Sequence, residues 1–178
     1  ILLLLLFFSV FVLVKNSGIF YIPYFKEINL PVWFYGIAYA FFHSVNAVIF
    51  RFAYVFEEKF GDYHLLWLIF WGRLFSWSMM LCFKPIWGIV FIVFEQIMRS
   101  LERPVIHSVI HKRVDSERRA TVMSLYNISG LITKIILALF FGQMLDILSF
   151  NLVISIFIGI LFFFAGGSLF LLRKQGGV

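Results

Sequence analysis

Apolar residues run in six long blocks along this chain, and the polar positions between them fall in short clusters. A helix needs about 20 mostly apolar residues to cross a hydrocarbon core at roughly 1.5 Å per residue. That ruler predicts membrane spans at approximately 2–24, 32–54, 65–83, 86–108, 121–145 and 152–172. Lys26-Glu27 closes the first span and Pro31 precedes the second. Glu57-Glu58-Lys59-Phe60-Gly61-Asp62 interrupts the pattern before the third. Lys84-Pro85 marks a tight turn into the fourth, because a proline suits a first helical turn, where its missing N–H costs nothing. No block alternates polar and apolar at period two, which argues against a membrane β-barrel. The predicted fold class is an all-α membrane protein with six transmembrane helices, and residues 1–178 form one domain. The opening run Ile1-Leu2-Leu3-Leu4-Leu5-Leu6-Phe7-Phe8 has neither Met nor a basic leader and makes a poor signal peptide. It reads as a helix entered part-way along, so the sequence is expected to be a fragment with residues upstream.

Composition sharpens this reading. The chain is 62% apolar, 21% aromatic and 13% charged, against roughly 45–50% apolar and about 25% charged in an average soluble domain. Side chains this apolar exclude a soluble enzyme, a disordered chain and a disulfide-stapled secreted module. The single cysteine, Cys82, permits no intrachain disulfide and no cysteine-based zinc site. Fifteen Lys and Arg against nine Asp and Glu would invite a nucleic-acid reading. The apolar content defeats it; the expected partner is the lipid bilayer, with no nucleic acid. Basic loops stay in the cytoplasm. Placing the second and fourth loops and the C-terminal tail on one side gathers Arg51, Lys59, Lys112, Arg113, Arg118, Arg119, Arg173 and Lys174 there, against Lys26 and Lys84 opposite. A plasma or inner membrane location with a cytoplasmic C-terminus is therefore expected.

Besides Arg51, near the end of its span and counted with the second loop, seven charged residues fall inside the predicted spans: Lys15, Arg73, Glu95, Arg99, Glu102, Arg103 and Lys134. Each costs about 2.5–3.5 kcal/mol at a bilayer centre, so each needs a partner, a polar cavity or an exit to water. Arg103 has such an exit by snorkelling. Glu95, Arg99, Glu102 and Arg103 recur at i, i+4, i+7 and i+8, one stripe on the fourth span. Tyr35, Tyr39, His43 and Asn46 make a second stripe, and Asn127, Gly130, Lys134 and Ala138 a third. Lys15 and Gly18, followed a turn later by Tyr21 or Ile22, make a weaker one, and the sixth span looks peripheral. The four striped spans are expected to enclose a wet cavity, with Lys15, His43, Asn46, Glu95, Arg99, Asn127 and Lys134 as the substrate and ion pathway. Glu95 is the favoured carrier of a proton or a substrate cation, and Lys134 its first candidate partner. The plainer alternative is a permanent Glu95–Arg99 pair, with Glu102 and Arg103 at the water interface. Arg73 has no ionisable partner on its own span.

The string Arg118-Arg119-Ala120-Thr121-Val122-Met123-Ser124-Leu125, with Pro104 before it and Gly142-Gln143-Met144-Leu145-Asp146 after, resembles the major facilitator superfamily. There an R-A-T-x-x-S-like segment opens the eleventh of twelve helices and G-x-x-x-D closes it. Tyr21-Ile22-Pro23-Tyr24-Phe25-Lys26-Glu27 and Glu57-Glu58-Lys59-Phe60-Gly61 are similar to the ends of the seventh and eighth helices. Many relatives carry a proline where 135–141 here has none. The resemblance implies an MFS-like half-bundle, the C-terminal half of a secondary transporter. Two such halves rock about a midplane site, so an N-terminal six-helix half, a small solute and protons become expected partners.

Other chemistry finds little support. His107 and His111 share a helical face at zincin spacing but lack the glutamate that spacing requires. Neither a nucleophile elbow nor a phosphate loop occurs. No enzyme activity, cofactor or metal is expected, although a six-helix membrane enzyme or channel is the alternative. Asn127-Ile128-Ser129 is a glycosylation sequon only formally, since it falls inside a predicted span. The deep basic residues favour an anionic or zwitterionic solute, whereas the tyrosines and tryptophans would suit sugars or flat amphiphiles.

Overall fold

The computed structural model describes residues 16–83 and 87–174, with side chains described as far as residue 163 in the last helix. Lys15, most of the first predicted span and the Lys84-Pro85 turn lie outside the described residues. A 3-10 turn, Asn16–Phe20, leads into α1 (Tyr21–Glu27), α2 (Val32–Cys82), α3 (Trp87–Arg113), α4 (Ser116–Ile147) and α5 (Phe150–Lys174). The all-α class is observed. Two compact units divide the chain: Phe20–Ile106, and His107–Val178 together with Ile1–Ile19.

In the first unit α1 stops where the sequence leads it to stop. Leu30 N–H bonds to Phe25 O (2.9 Å) and Asn29 N–H to Lys26 O (3.0 Å), with Asn29 at φ 55°. This is a Schellman closure, with asparagine, the residue after glycine most tolerant of left-handed backbone, at the turning position. Pro31 then begins α2 in extended conformation.

α2 departs from the predicted spans. Its first arm continues through Glu57-Glu58-Lys59 instead of ending near Tyr54, and the break comes at Gly61 (φ 70°, ψ 160°). Glu and Lys are good helix formers, so a charged cluster ends an apolar block without ending a helix. The turn itself needs a conformation essentially reserved for glycine. It separates two apolar arms, Val32–Asp62 and His64–Cys82.

The core of this unit follows helical periodicity. Leu66, Ile69, Phe70, Arg73, Leu74, Trp77 and Met80 are buried on the second arm, and Ile92, Glu95, Gln96, Met98, Leu101, Glu102 and Val105 on α3. Gly72 lets these helices approach: a Cβ there would stand 2.7 Å from Met98 Sδ. Aromatic rings fill the space beside α1. Tyr21 lies parallel to Trp77 with centroids 6.2 Å apart, and Phe20 meets Trp77 edge-on at 5.7 Å.

In the second unit, Tyr126, Gly130, Leu137 and Phe141 form the buried face of α4. Phe150, Val153, Ile154, Phe157 and Leu161 are buried on α5, and Phe141 meets Phe157 edge-on at 5.6 Å. Arg119, in the first turns of α4, donates from Nη2 to His111 O (3.0 Å) and Val114 O (3.3 Å). A cation thereby satisfies carbonyls that the end of α3 leaves without partners.

Among the described residues three helical segments are long and apolar enough to cross a membrane: Val32–Asp62, His64–Cys82 and Ser116–Ile147. Phe150–Phe163 adds a shorter apolar stretch. α3 has the length, but Glu95, Arg99, Glu102 and Arg103 interrupt its apolar character. These helices make the chain consistent with a membrane-embedded protein.

Candidate functional site

The most concentrated chemistry lies in the first unit, where α1, the second arm of α2 and α3 meet. Arg73 projects from the buried face of its arm toward α3. Its Nη2 reaches Glu95 Oε1 at 2.7 Å and its Nη1 pairs with Glu102 Oε2. Glu95 and Glu102 stand seven residues apart, hence nearly on one face and about 10.5 Å apart along the axis. A guanidinium fork, with terminal nitrogens aimed in different directions, can answer both at once. Tyr21, at the start of α1, donates its hydroxyl to Glu95 Oε2. Tyr21, Arg73, Glu95 and Glu102 are each at most 3% exposed.

Arg99 completes the group differently. It interacts electrostatically with Glu95, Tyr21 and Glu102, yet it is only half-buried. Two arginines and two glutamates sum to zero charge. That balance is what permits four ionised side chains among apolar helices, since a buried charge is tolerated only when compensated.

A neutral polar clamp sits beside this cluster. Asn46 Nδ2 donates to Gln96 Oε1 (3.2 Å), and Ser100 Oγ donates to Asn46 Oδ1 (2.6 Å), within reach also of Gln96 O (2.8 Å). One asparagine on the first arm of α2 is thus held by two successive turns of α3. Gln96 and Ser100 are the chain neighbours of Glu95 and Arg99, so the clamp sets the register of the first arm against the charged face.

The structure brings Asn46, Glu95 and Arg99 into one region. His43 is exposed and lies beside Tyr39, ring centroids 6.5 Å apart. Asn127 and Lys134 are exposed on α4, in the other unit, with Ala138; Gly130 turns inward. Lys15 lies outside the described residues. Two expectations are corrected. Glu95 forms its ion pair with Arg73, a residue on the second arm of α2 that packs on α3, where the sequence offered Arg99 on the same helix. Glu102 is buried against Arg73 rather than placed at a water interface, while its neighbour Arg103, about 100° around the helix, is exposed.

Arg73 and Glu102 were visible among the span charges, and their equal and opposite need for a partner was the available signal. Gln96 and Ser100 gave a weaker one: two uncharged polar residues at i, i+4 beside Glu95 and Arg99. Among the described residues no group of three or more His, Cys, Asp or Glu is arranged to hold a metal ion. The chain matches no family model, no curated protein and no solved structure.

Proposed function

We propose that the chain is one six-helix half of a secondary transporter of the major facilitator type, moving a small solute by alternating access. The single observation carrying this reading is the neutral Arg73–Glu95–Glu102–Arg99 cluster, bonded to Tyr21 and set among apolar helices. Intramembrane ionisable groups are expensive and mark ion or solute pathways more often than scaffolding. Glu95 is the proton carrier in this reading. It shares Arg73 with Glu102, so a rocking motion that draws α2 from α3 would leave Glu102 or Glu95 to be neutralised by a proton. His43 on Val32–Asp62 and Asn127 and Lys134 on Ser116–Ile147 are exposed, available to a second bundle such as the family resemblance implies. The basic loops and C-terminal tail lie in the cytoplasm under this reading. Alkaline phosphatase fused after Lys84 is then expected to be active and a fusion after Lys174 silent; the reverse would overturn the orientation.

The function is tested with Glu95→Gln in the full-length protein, reconstituted in liposomes. Expression, solute binding and exchange should persist while accumulation driven by a pH gradient is lost. Normal gradient-driven accumulation by a well-folded Glu95→Gln protein would remove Glu95 as the carrier.

A further inference from the structure

The predicted spans hold more positive than negative charge far from their ends. Arg73, Arg99 and Lys134 stand there against Glu95 and Glu102, and Lys15 in the first predicted span adds to the excess. The quartet on α2 and α3 already balances itself, so Lys134 is the charge left over, however the helices pack. The remaining acidic residues flank helix ends: Glu27 closes α1, Glu57, Glu58 and Asp62 surround Gly61, Asp115 and Glu117 open α4, and Asp146 closes it. With Glu95 and Glu102 these are all nine acidic residues of the sequence. Lys134 stands far from either end of α4, Ser116–Ile147, about 27 Å from the first and about 20 Å from the last residue at roughly 1.5 Å per residue. A lysine snorkels to water only near a helix end, so this ammonium has no such exit.

The surface around Lys134 has the form of a helix seam. Lys134 is exposed and, among the described residues, makes neither an ion pair nor a hydrogen bond. Asn127, Leu131, Lys134 and Ala138 follow one another at steps of four, three and four, and all are exposed. That alternation is the line along which one helix lies against another at a shallow angle. α5 meets α4 elsewhere, through Phe157 on Phe141, and carries no acidic residue. Only 17% of the most apolar window of α4 is buried, more open length than a small solute covers. A second copy of the chain brings the same nine acidic residues and cannot restore the balance. We propose that the seam from Asn127 to Ala138 receives one apolar helix of the complementary bundle, bearing an Asp or Glu at the depth of Lys134 and paired with it. Asn127, about 10.5 Å earlier along the axis, offers a donor and an acceptor that set the register of that helix. The pairing follows from the charge count; the source of the helix in the same polypeptide rests on the transport reading above.

Two measurements on the full-length protein test it. A benzophenone photo-crosslinker on Leu131→Cys, in a cysteine-free background and in native membranes, should capture an apolar peptide of the same polypeptide from outside residues 1–178. That peptide should carry an Asp or Glu within a turn or two of the crosslink. Crosslinks confined to lipid, to residues 1–178, to a helix without an acid or to a separate protein would overturn the proposal. Lys134→Met should lower the folded yield in detergent about threefold or more, because it leaves the partner carboxylate buried alone. Replacing the captured acid by its amide in the same variant should return the yield to near the parent level. An unchanged or higher yield for Lys134→Met, or a double variant no better than Lys134→Met, would overturn the pairing. The Glu95→Gln accumulation assay separates this from the parent reading. Rescue of Lys134→Met in a protein whose accumulation survives Glu95→Gln keeps the seam and removes the carrier. A Lys134→Met protein of full yield whose accumulation is lost on Glu95→Gln does the reverse.

Discussion

The two arms of α2 are joined through one glycine, are both apolar enough to cross a membrane, and have different fates. In Val32–Asp62 11% of the most apolar window is buried, and in His64–Cys82 50%. The second arm carries Gly72 beside Arg73 on the side that meets α3, so close approach and charge compensation occur together. The first arm carries Tyr35, Tyr39, His43 and Asn46, of which only Asn46 makes a described hydrogen bond to another helix. Apolarity alone therefore says that a helix belongs in a bilayer, and the placement of glycine and charge says which arm packs on α3.

The largest expected break in this contrast is at Arg73. Arg73→Leu leaves Glu95 and Glu102 buried without their shared cation and should cost about 3–5 kcal/mol. Thermal unfolding and folded yield in detergent would register it. Adding Glu102→Gln, which leaves Glu95 and Arg99 balanced, should recover part of the loss, whereas His43→Leu on the exposed arm should stay within about 0.5 kcal/mol. A well-folded Arg73→Leu protein would mean that the second arm is not held through its charge.

Next comes the junction. Gly61→Ala puts a Cβ on a residue at φ 70°, ψ 160°, with an expected cost of about 1–3 kcal/mol from backbone strain alone, because nothing lies within 4 Å of the added atom. An unchanged melt would mean that the arms can join through an ordinary helical bend.

The smallest effect compares like with like. Alanine favours a helix over glycine by about 0.8–1.0 kcal/mol, and at Gly36, where a Cβ would meet nothing within 4 Å, Gly36→Ala should stabilise by up to that amount. Gly72→Ala gains the same propensity but sets its Cβ 2.7 Å from Met98 Sδ and 2.9 Å from Met98 Cγ. It should destabilise by about 1 kcal/mol net, within the range of overpacking costs. Opposite signs in a pair of melts would sharpen the contrast between the arms; equal stabilisation would erase it.

Much of the fold was legible along the chain. Block length predicted the order of helices, Lys26-Glu27 and Pro31 marked the first turn, and 3.6-residue periodicity placed Glu95, Arg99 and Glu102 on one face. These are local properties, dictated by helix geometry and side-chain solubility over a few turns. The first arm runs past Tyr54, because Glu57, Glu58 and Lys59 favour helix even where they end an apolar block, and the turn comes at Gly61. The partner of Glu95 was not legible at all. Lys134 and Arg99 were the favoured candidates and Arg73 had no assigned partner, since spacing along α3 does not show which side chain of the second arm faces Glu95. Pairing between helices depends on long-range packing, where a smooth contact at Gly72 aims the Arg73 guanidinium between two carboxylates. The sequence by itself determined that seven charged side chains lie in an apolar setting and each needs a partner, a polar cavity or an exit to water. The tertiary structure decided that Arg73 serves both carboxylates, because an ion pair is a matter of ångströms and no spacing along one helix measures the distance to another.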